Sequence, residues 1–200
     1  MKRETKQTKY LEDYIQDLKG CIDRIDRTQI SAILDILDDA RDRQWNIWVI
    51  GNGGSALTAS HFATDLGKGA SVGRRQRFRV QALTESVGII TAMGNDIDFD
   101  DIFVEQLKNQ AQSDDVLVIF SGSGSSENVL RAARWSRKNR LTVVGITGQS
   151  GGQLPYEADC VWKAASDHMG RIEDMHMIAA HILSYFFIEE ELEDAERAVD

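Results

Sequence analysis

Proline is almost missing from these 200 residues: Pro155 is the only one, inside "GQSGGQLPYE". No proline-rich linker is therefore present, and that segment reads as a loop. Cysteine is nearly as scarce. Cys21 and Cys160 stand far apart and form no C-x-x-C pattern, which excludes a thiolate zinc site and a disulfide framework and leaves two reduced thiols. No apolar run approaches the roughly 18 residues that a membrane span needs, so none is expected. The opening "MKRETKQTKYLEDY" starts basic but has no apolar core behind it; neither a secretory signal nor a transit peptide is read, and a cytoplasmic location is expected. Positive charge is in deficit as well. A net charge of −9 at pH 7 should repel nucleic acid rather than attract it through counterion release, so no nucleic-acid partner is expected. The local exception is Arg74, Arg75, Arg77 and Arg79, a basic cluster that could meet a phosphate or an acidic partner, or form a solvated edge.

What is present is an ordinary globular composition, 42% hydrophobic and 28% charged, in a length that suits one domain, residues 1–200. Residues 1–44 read as two amphipathic helices: Leu11, Tyr14, Ile15 and Leu18 recur at helical spacing, and Ile30, Ile33, Leu34, Ile36 and Leu37 repeat the pattern. Such a helical hairpin needs a cover for its apolar stripes, and a neighbouring subunit would supply one, so a homo-oligomer is suggested. From 45 to 195 short apolar runs alternate with helical patterns. The runs are Ile47 to Ile50, Phe78 to Leu83, Val116 to Phe120, Leu141 to Ile146 and Cys160 to Trp162. This order predicts an open α/β domain, a parallel sheet with helices on both faces. The last helix is expected over Ile172 to Leu192, burying Met175, Met177, Ile178, His181, Ile182, Tyr185 and Phe186, before an acidic tail "EEELEDAERAVD".

Two Gly/Ser-rich segments follow strands, where open parallel sheets bind ligands. "GNGGS", Gly51 to Ser55, follows "IWVI", and "SGSGSS", Ser121 to Ser126, follows "VLVIF". Close-approaching backbone amides, helix N-termini and serine hydroxyls together make a phosphate cradle, although the same residues also cap helices and form turns. Neither segment fits a P-loop or a dinucleotide fingerprint. His61 and Asp65 are four apart on the helix after the first loop, and Glu173 and His181 are eight apart on the last helix, with Asp174 and His176 nearby. Two such pairs could hold zinc, act as general acid and base, or stand as satisfied core and surface residues, the reading His176 and His168 fit best.

Taken together, "GNGGSALTASHFATDL", "AMGNDIDFDDIFVEQL", "SGSGSSENVL", "GITGQSGG" and "RIEDMHMIAAHIL" resemble the SIS (sugar isomerase) domain and, within it, the phosphoheptose isomerases. These convert sedoheptulose 7-phosphate to D-glycero-D-manno-heptose 7-phosphate. The resemblance runs from about Tyr10 to Glu190. It implies an open five-stranded parallel sheet flanked by helices, and a homotetramer with active sites between subunits. It also implies that Ser55, Ser121, Ser123 and Ser126 hold the phosphate, that Asn52, Gly53, Gly54, Asn95 and Asp96 line the sugar, and that Gly122 is among the substrate-binding residues. Asp65 and His181 take the catalytic positions, and in some members zinc lies between the equivalents of His61, Asp65, Glu173 and His181; Asp65 and Glu173 would also meet substrate.

Two positions depart from the family's pattern: Asp65 stands where it has Glu, and Glu173 where it has Gln. Asp is one methylene shorter, and catalytic reach is sensitive to misplacements of about 1 Å. Either Glu173 supplies a carboxylate where Asp65 falls short, or the two carboxylates and two histidines bind zinc more firmly. Among proteins of this fold, an adaptor that binds the replication initiator DnaA has lost the acid-base pair, and sugar-phosphate-sensing regulators carry a DNA-binding module. The retained His61, Asp65 and His181 favour the enzyme, and no such module is visible in these residues.

Overall fold

The computed structural model describes residues 2–74 and 76–197, with side chains over 5–74 and 76–189. Arg75 of the basic cluster, the side chains of the acidic tail from 190 onward and residues 198–200 lie outside the described residues. Five strands form one parallel sheet in the order β2-β1-β3-β4-β5: β1 (Asn46–Gly51), β2 (Arg79–Ala82), β3 (Val116–Ser121), β4 (Thr142–Thr147) and β5 (Cys160–Lys163). Each coincides with an apolar run seen in the sequence. β3 is buried along its whole length, and β1 and β4 in all but their first residues, which is why they read as continuous apolar runs and not as alternations.

Side chains on a strand point alternately to the two faces, and the core divides accordingly. Val116, Val118 and Phe120 of β3 face one cluster with α2 (Arg27–Arg43), α3 (Gly54–Thr64) and α8 (Met169–Arg197). Leu117 and Ile119 face the other, with α5 (Val104–Gln110), α6 (Glu127–Lys138) and the one-turn α7 (Leu154–Glu157). Buried Asp115 ties the start of β1 to β3: its carboxylate accepts from Asn46 N (2.8 Å), Trp48 Nε1 (2.9 Å) and Gln112 N (2.9 Å). A buried carboxylate is tolerated when its lone pairs are met in this way.

The structure corrects several expectations. Pro155 lies in the first turn of α7, not in a loop, since the missing N–H of proline is no loss there. The stripe of α2, with Ile30, Ile33 and Leu37, packs on the chain's own sheet and needs no neighbour. By contrast α1 (Lys2–Asp23) leaves Tyr10, Leu11 and Ile15 exposed. On α8 the buried stripe is Ile172, Met175, His176, Ala179, Ala180, Leu183, Ser184 and Phe187. His181, Ile182, Tyr185 and Phe186 face outward, and the helix runs past Leu192. Apolar residues almost encircle this helix, so hydrophobicity alone does not orient it. The small Ala179, Ala180 and Ser184 let it sit close to its neighbours. Of the basic cluster, Arg74 donates to Ile188 O (3.1 Å) and Arg79 to Gln44 O (3.1 Å), so both tie loops to neighbouring elements. Cys21 and Cys160 are free and buried.

His176 is the unusual core residue. It is 1% exposed, its ring nitrogens make no hydrogen bond of good geometry among the described residues, the Thr147 backbone being their nearest polar neighbour, and its ring lies 6.1 Å from Phe120. It is the core residue that the sequence suggested, with only the Thr147 backbone near enough to meet its ring. Burial lowers its pKa from 6.5 to about 4, opposed in part by the Thr147 backbone. Because the folded-state value is depressed, the unfolded chain binds the proton more readily; stability is full above about pH 6.5 and is lost as pH falls toward 4. The size of that loss is about 3 kcal/mol. Urea titrations at pH 7 and pH 4 should therefore show a smaller loss of stability in His176→Leu than in the parent chain; equal losses would show that other groups carry the acid sensitivity.

Candidate active site

The first loop leaves β1 at Gly51 and enters α3 at Gly54; the second leaves β3 at Ser121 and enters α6 at Glu127. Since β1 and β3 are hydrogen-bonded neighbours, both loops emerge side by side at the carboxyl end of the sheet. Asn52 and Asn128 lock them together with a reciprocal amide pair, Asn52 Nδ2 to Asn128 Oδ1 at 2.9 Å and Asn128 Nδ2 to Asn52 Oδ1 at 3.0 Å. Asn128 was not singled out from the sequence. Its only signal is an asparagine in the first turn of a helix that opens beside a serine loop, and it is 1% exposed.

Between the loops lies a cavity of about 320 Å³. Asn52, Gly53, Gly54 and Ser55 line one side, and Ser121, Gly122, Ser123 and Ser126 the other; Phe120, Met169 and Glu173 close it. Phe120 and Met169 are further residues that sequence patterns did not mark. A larger groove of about 650 Å³ borders Lys6, Gln7, Tyr10 and Leu11, but it is an exposed face of α1 without comparable polar convergence. Among the described residues the lining of the serine cavity includes no Lys, Arg or His. An anion there would be held by hydroxyls, amides and the N-termini of α3 and α6, each of which favours negative charge. Glu173 leans over the start of α3: a Cβ built on Gly54 would stand 2.7 Å from its Oε1.

The second group lies two helical turns away. His61 Nε2 is 3.1 Å from His181 Nε2 and 3.3 Å from Asp65 Oδ2. One ligand atom from each of the three can be chosen so that all lie within 4.8 Å of one another. Asp65 opens a π-helical turn, Asp65–Gly69, that continues α3; Ser184 Oγ lies 3.3 Å from its Oδ2 and 2.9 Å from Ala180 O, so its single proton can serve either acceptor. Single π turns within helices often mark functional sites. Ser184 also escaped sequence reasoning, although it follows His181 at i+3. His61 and His181 are exposed, Asp65 only partly.

Glu173 and His181 share α8 but not a site. Eight residues of helix span about 12 Å, which places Glu173 in the serine cavity and His181 with His61 and Asp65. Glu173 does not join the three-residue group, so it does not fill in for Asp65 within this chain. Asn95 and Asp96 lie elsewhere again: they end α4 (Val87–Asp96), are exposed, bond to each other at 2.6 Å and do not line the serine cavity.

A family model described as "SIS domain" matches residues 10–148. A phosphoheptose isomerase of Mycobacterium tuberculosis is 40% identical over 138 residues, covering 69% of this chain and 70% of the relative. One from Dechloromonas aromatica is 32% identical over 178 residues, 88% of this chain and 90% of the relative. Among solved structures, a phosphoheptose isomerase from Francisella tularensis superposes with a TM-score of 0.85 at 28% identity, covering 94% of this chain and all of that one. The chain belongs to the SIS domain family and, within it, to the branch that holds the phosphoheptose isomerases.

Proposed function

We propose that this chain is an isomerase of sedoheptulose 7-phosphate, giving D-glycero-D-manno-heptose 7-phosphate by aldose-ketose isomerisation through an enediol. The observation that carries the reading is the pairing of two groups along α3 and α8: a serine-lined, anion-favouring cavity where the first turns of both helices meet the β3–α6 loop and, about two turns along, a cluster of two imidazoles and a carboxylate. A phosphorylated sugar chain has the same polarity, with an anion at one end and the reacting carbons at the other. The same cluster argues against a non-catalytic adaptor, which has no use for an acid and a base held together.

In this mechanism Ser55, Ser121, Ser123 and Ser126 hold the phosphate with the backbone amides of their loops. Asn52 and the carboxylate of Glu173 meet hydroxyls of the chain; a carboxylate is acceptor-only, so it selects hydroxyl donors. Asp65 moves the proton between C1 and C2, and His181 moves the proton at the carbonyl and hydroxyl oxygens, the division of labour that carboxylate and imidazole suit near neutral pH. Ser184 can donate to the Asp65 carboxylate when its hydroxyl turns from Ala180 O. The donor set of His61, Asp65 and His181 fits zinc, being two nitrogens and one oxygen with an open side. Zinc held there would polarise the substrate oxygens as a Lewis acid.

Assembly as a homotetramer belongs to the same proposal. Tyr10 and Leu11 on α1 are 61% and 58% exposed, and Val87 on α4 and the adjacent Ile97 are 69% and 61% exposed. Asn95 and Asp96 sit on that second surface, so association would bring them to a neighbour's site. Three outcomes test the reading. His181→Ala should lower kcat for sedoheptulose 7-phosphate by about 10³-fold, the scale of a lost general acid-base group, measured as appearance of the aldose; parental turnover would remove the proposal. Ser123→Ala should instead raise KM roughly tenfold with kcat nearly unchanged, as expected for a lost hydrogen bond to a charged group. In metal analysis of purified chains, Glu173→Gln should keep the zinc that His61→Ala loses; loss in both would place Glu173 among the ligands.

A further inference from the structure

A loop that turns amides and hydroxyls toward an anion must turn its carbonyl oxygens away, and those oxygens need donors of their own when buried. Here a second loop behind the first supplies them. Gly122 O accepts from Gly148 N at 3.1 Å, and Gly124 O accepts from both Gln153 N and Leu154 N at 2.9 Å. None of Gly148 to Leu154 lines the serine cavity. The two loops meet at glycine: Gly124 and Gly152 both have positive φ, +59° and +57°. A Cβ on Gly124 would overlap Gly151 O, and one on Gly152 would overlap Ser123 O and Ser125 Oγ. Gly148, at an ordinary φ, would bring a Cβ to 2.6 Å from the side-chain tip of Ile172 and to 2.7 Å from Gly122 O, and of the two only the side chain can turn away.

Backbone carbonyls cannot swing aside as a side chain can, so any bulk on these glycines moves the serine loop itself. We infer that the 148–154 segment is a mould for the phosphate loop, and that Gly148 and Gly152 are positioning residues for anion binding although neither touches the anion. The segment holds the Ser121–Ser126 backbone in the shape that faces its donors into the cavity. Gly151 lies on the other side of the same turn. It too has positive φ, +72°, but a Cβ there would meet Pro155 Cγ at 2.9 Å and the mobile end of Lys163 at 3.0 Å, not the serine loop. Gly151 therefore separates backbone strain in general from pressure on the phosphate loop.

This inference rests on the sugar-phosphate reading, and the test keeps the two apart by measuring inorganic phosphate and sedoheptulose 7-phosphate on the full chain. Calorimetric titration with inorganic phosphate should show Gly152→Ala and Gly148→Ala at least about tenfold weaker than the parent, and Gly151→Ala within about twofold. With sedoheptulose 7-phosphate the first two should raise KM by a similar factor while kcat changes by less than about threefold, a split that general destabilisation does not produce. Thermal melting accompanies each variant, and Gly148→Ala decides the matter on the same criteria if Gly152→Ala does not fold. Parental phosphate affinity in both variants would overturn the mould, as would a loss in Gly151→Ala equal to that in Gly152→Ala. A parent that binds phosphate, weakened as described, yet does not isomerise the sugar would support the mould and refute the isomerase reading alone.

Discussion

Helices α3 and α8 lie beside each other over one face of the sheet, and the whole candidate site hangs from that contact. Gly54 stands beside Glu173, His61 beside His181, and Gly69 beside Ile188, so the two helices run in the same direction and their residues pair rung by rung. The contact is close because Ala59 and Ala63 on α3 and Ala179 and Ala180 on α8 are small and buried in one core cluster. Phe62 and Phe120, ring centroids 5.7 Å apart, seat α3 on the sheet. A shift of one residue in this pairing would turn side chains by about 100° around the helix and separate His61 from His181. Core packing thus sets the distance between the imidazoles.

Charge is distributed along the site in a consistent way. Among the described residues the end at the strand termini has no cationic side chain in its lining and offers neutral donors and helix N-termini. Such donors suit a phosphate, because hydroxyls and amides offer direction and leave room for the rest of the ligand. In the proposed function the Glu173 carboxyl in that cavity would meet a hydroxyl of the ligand rather than its phosphate. The other end holds the titratable groups, partly open to solvent, where a proton can enter and leave. The serine loop is backed by backbone donors of 148–154, and Ser184 lies beside Asp65 of the histidine cluster.

The outward surface has its own logic. The exposed stripes of α1 and α4, together with Ile182, Tyr185 and Phe186 of α8 at 38%, 46% and 44%, are more apolar than a lone chain of this size needs. The proposed tetramer would cover them, and it would explain why α4, which buries none of its residues within the chain, carries Asn95 and Asp96 so far from the cavity.

Much of this was legible in the residues. The five strands announced themselves because central parallel strands are buried on both faces and read as unbroken apolar runs, and the two loops because glycine and serine cluster where strands turn into helices. Helical spacing placed His61 with Asp65. What spacing left open was which residues on different elements meet, because contact between helices depends on rotation and offset that neither pattern encodes. Only the packed structure turned α8 so that His181 looks out and His176 looks in, joined Asn52 to Asn128 and Ser184 to Asp65, and sent Glu173 to one end of the site and His181 to the other. The physical reason is common to all of these: local sequence sets the periodicity of an element, while the close fit of small and large side chains across the core sets the face and height at which each element stops.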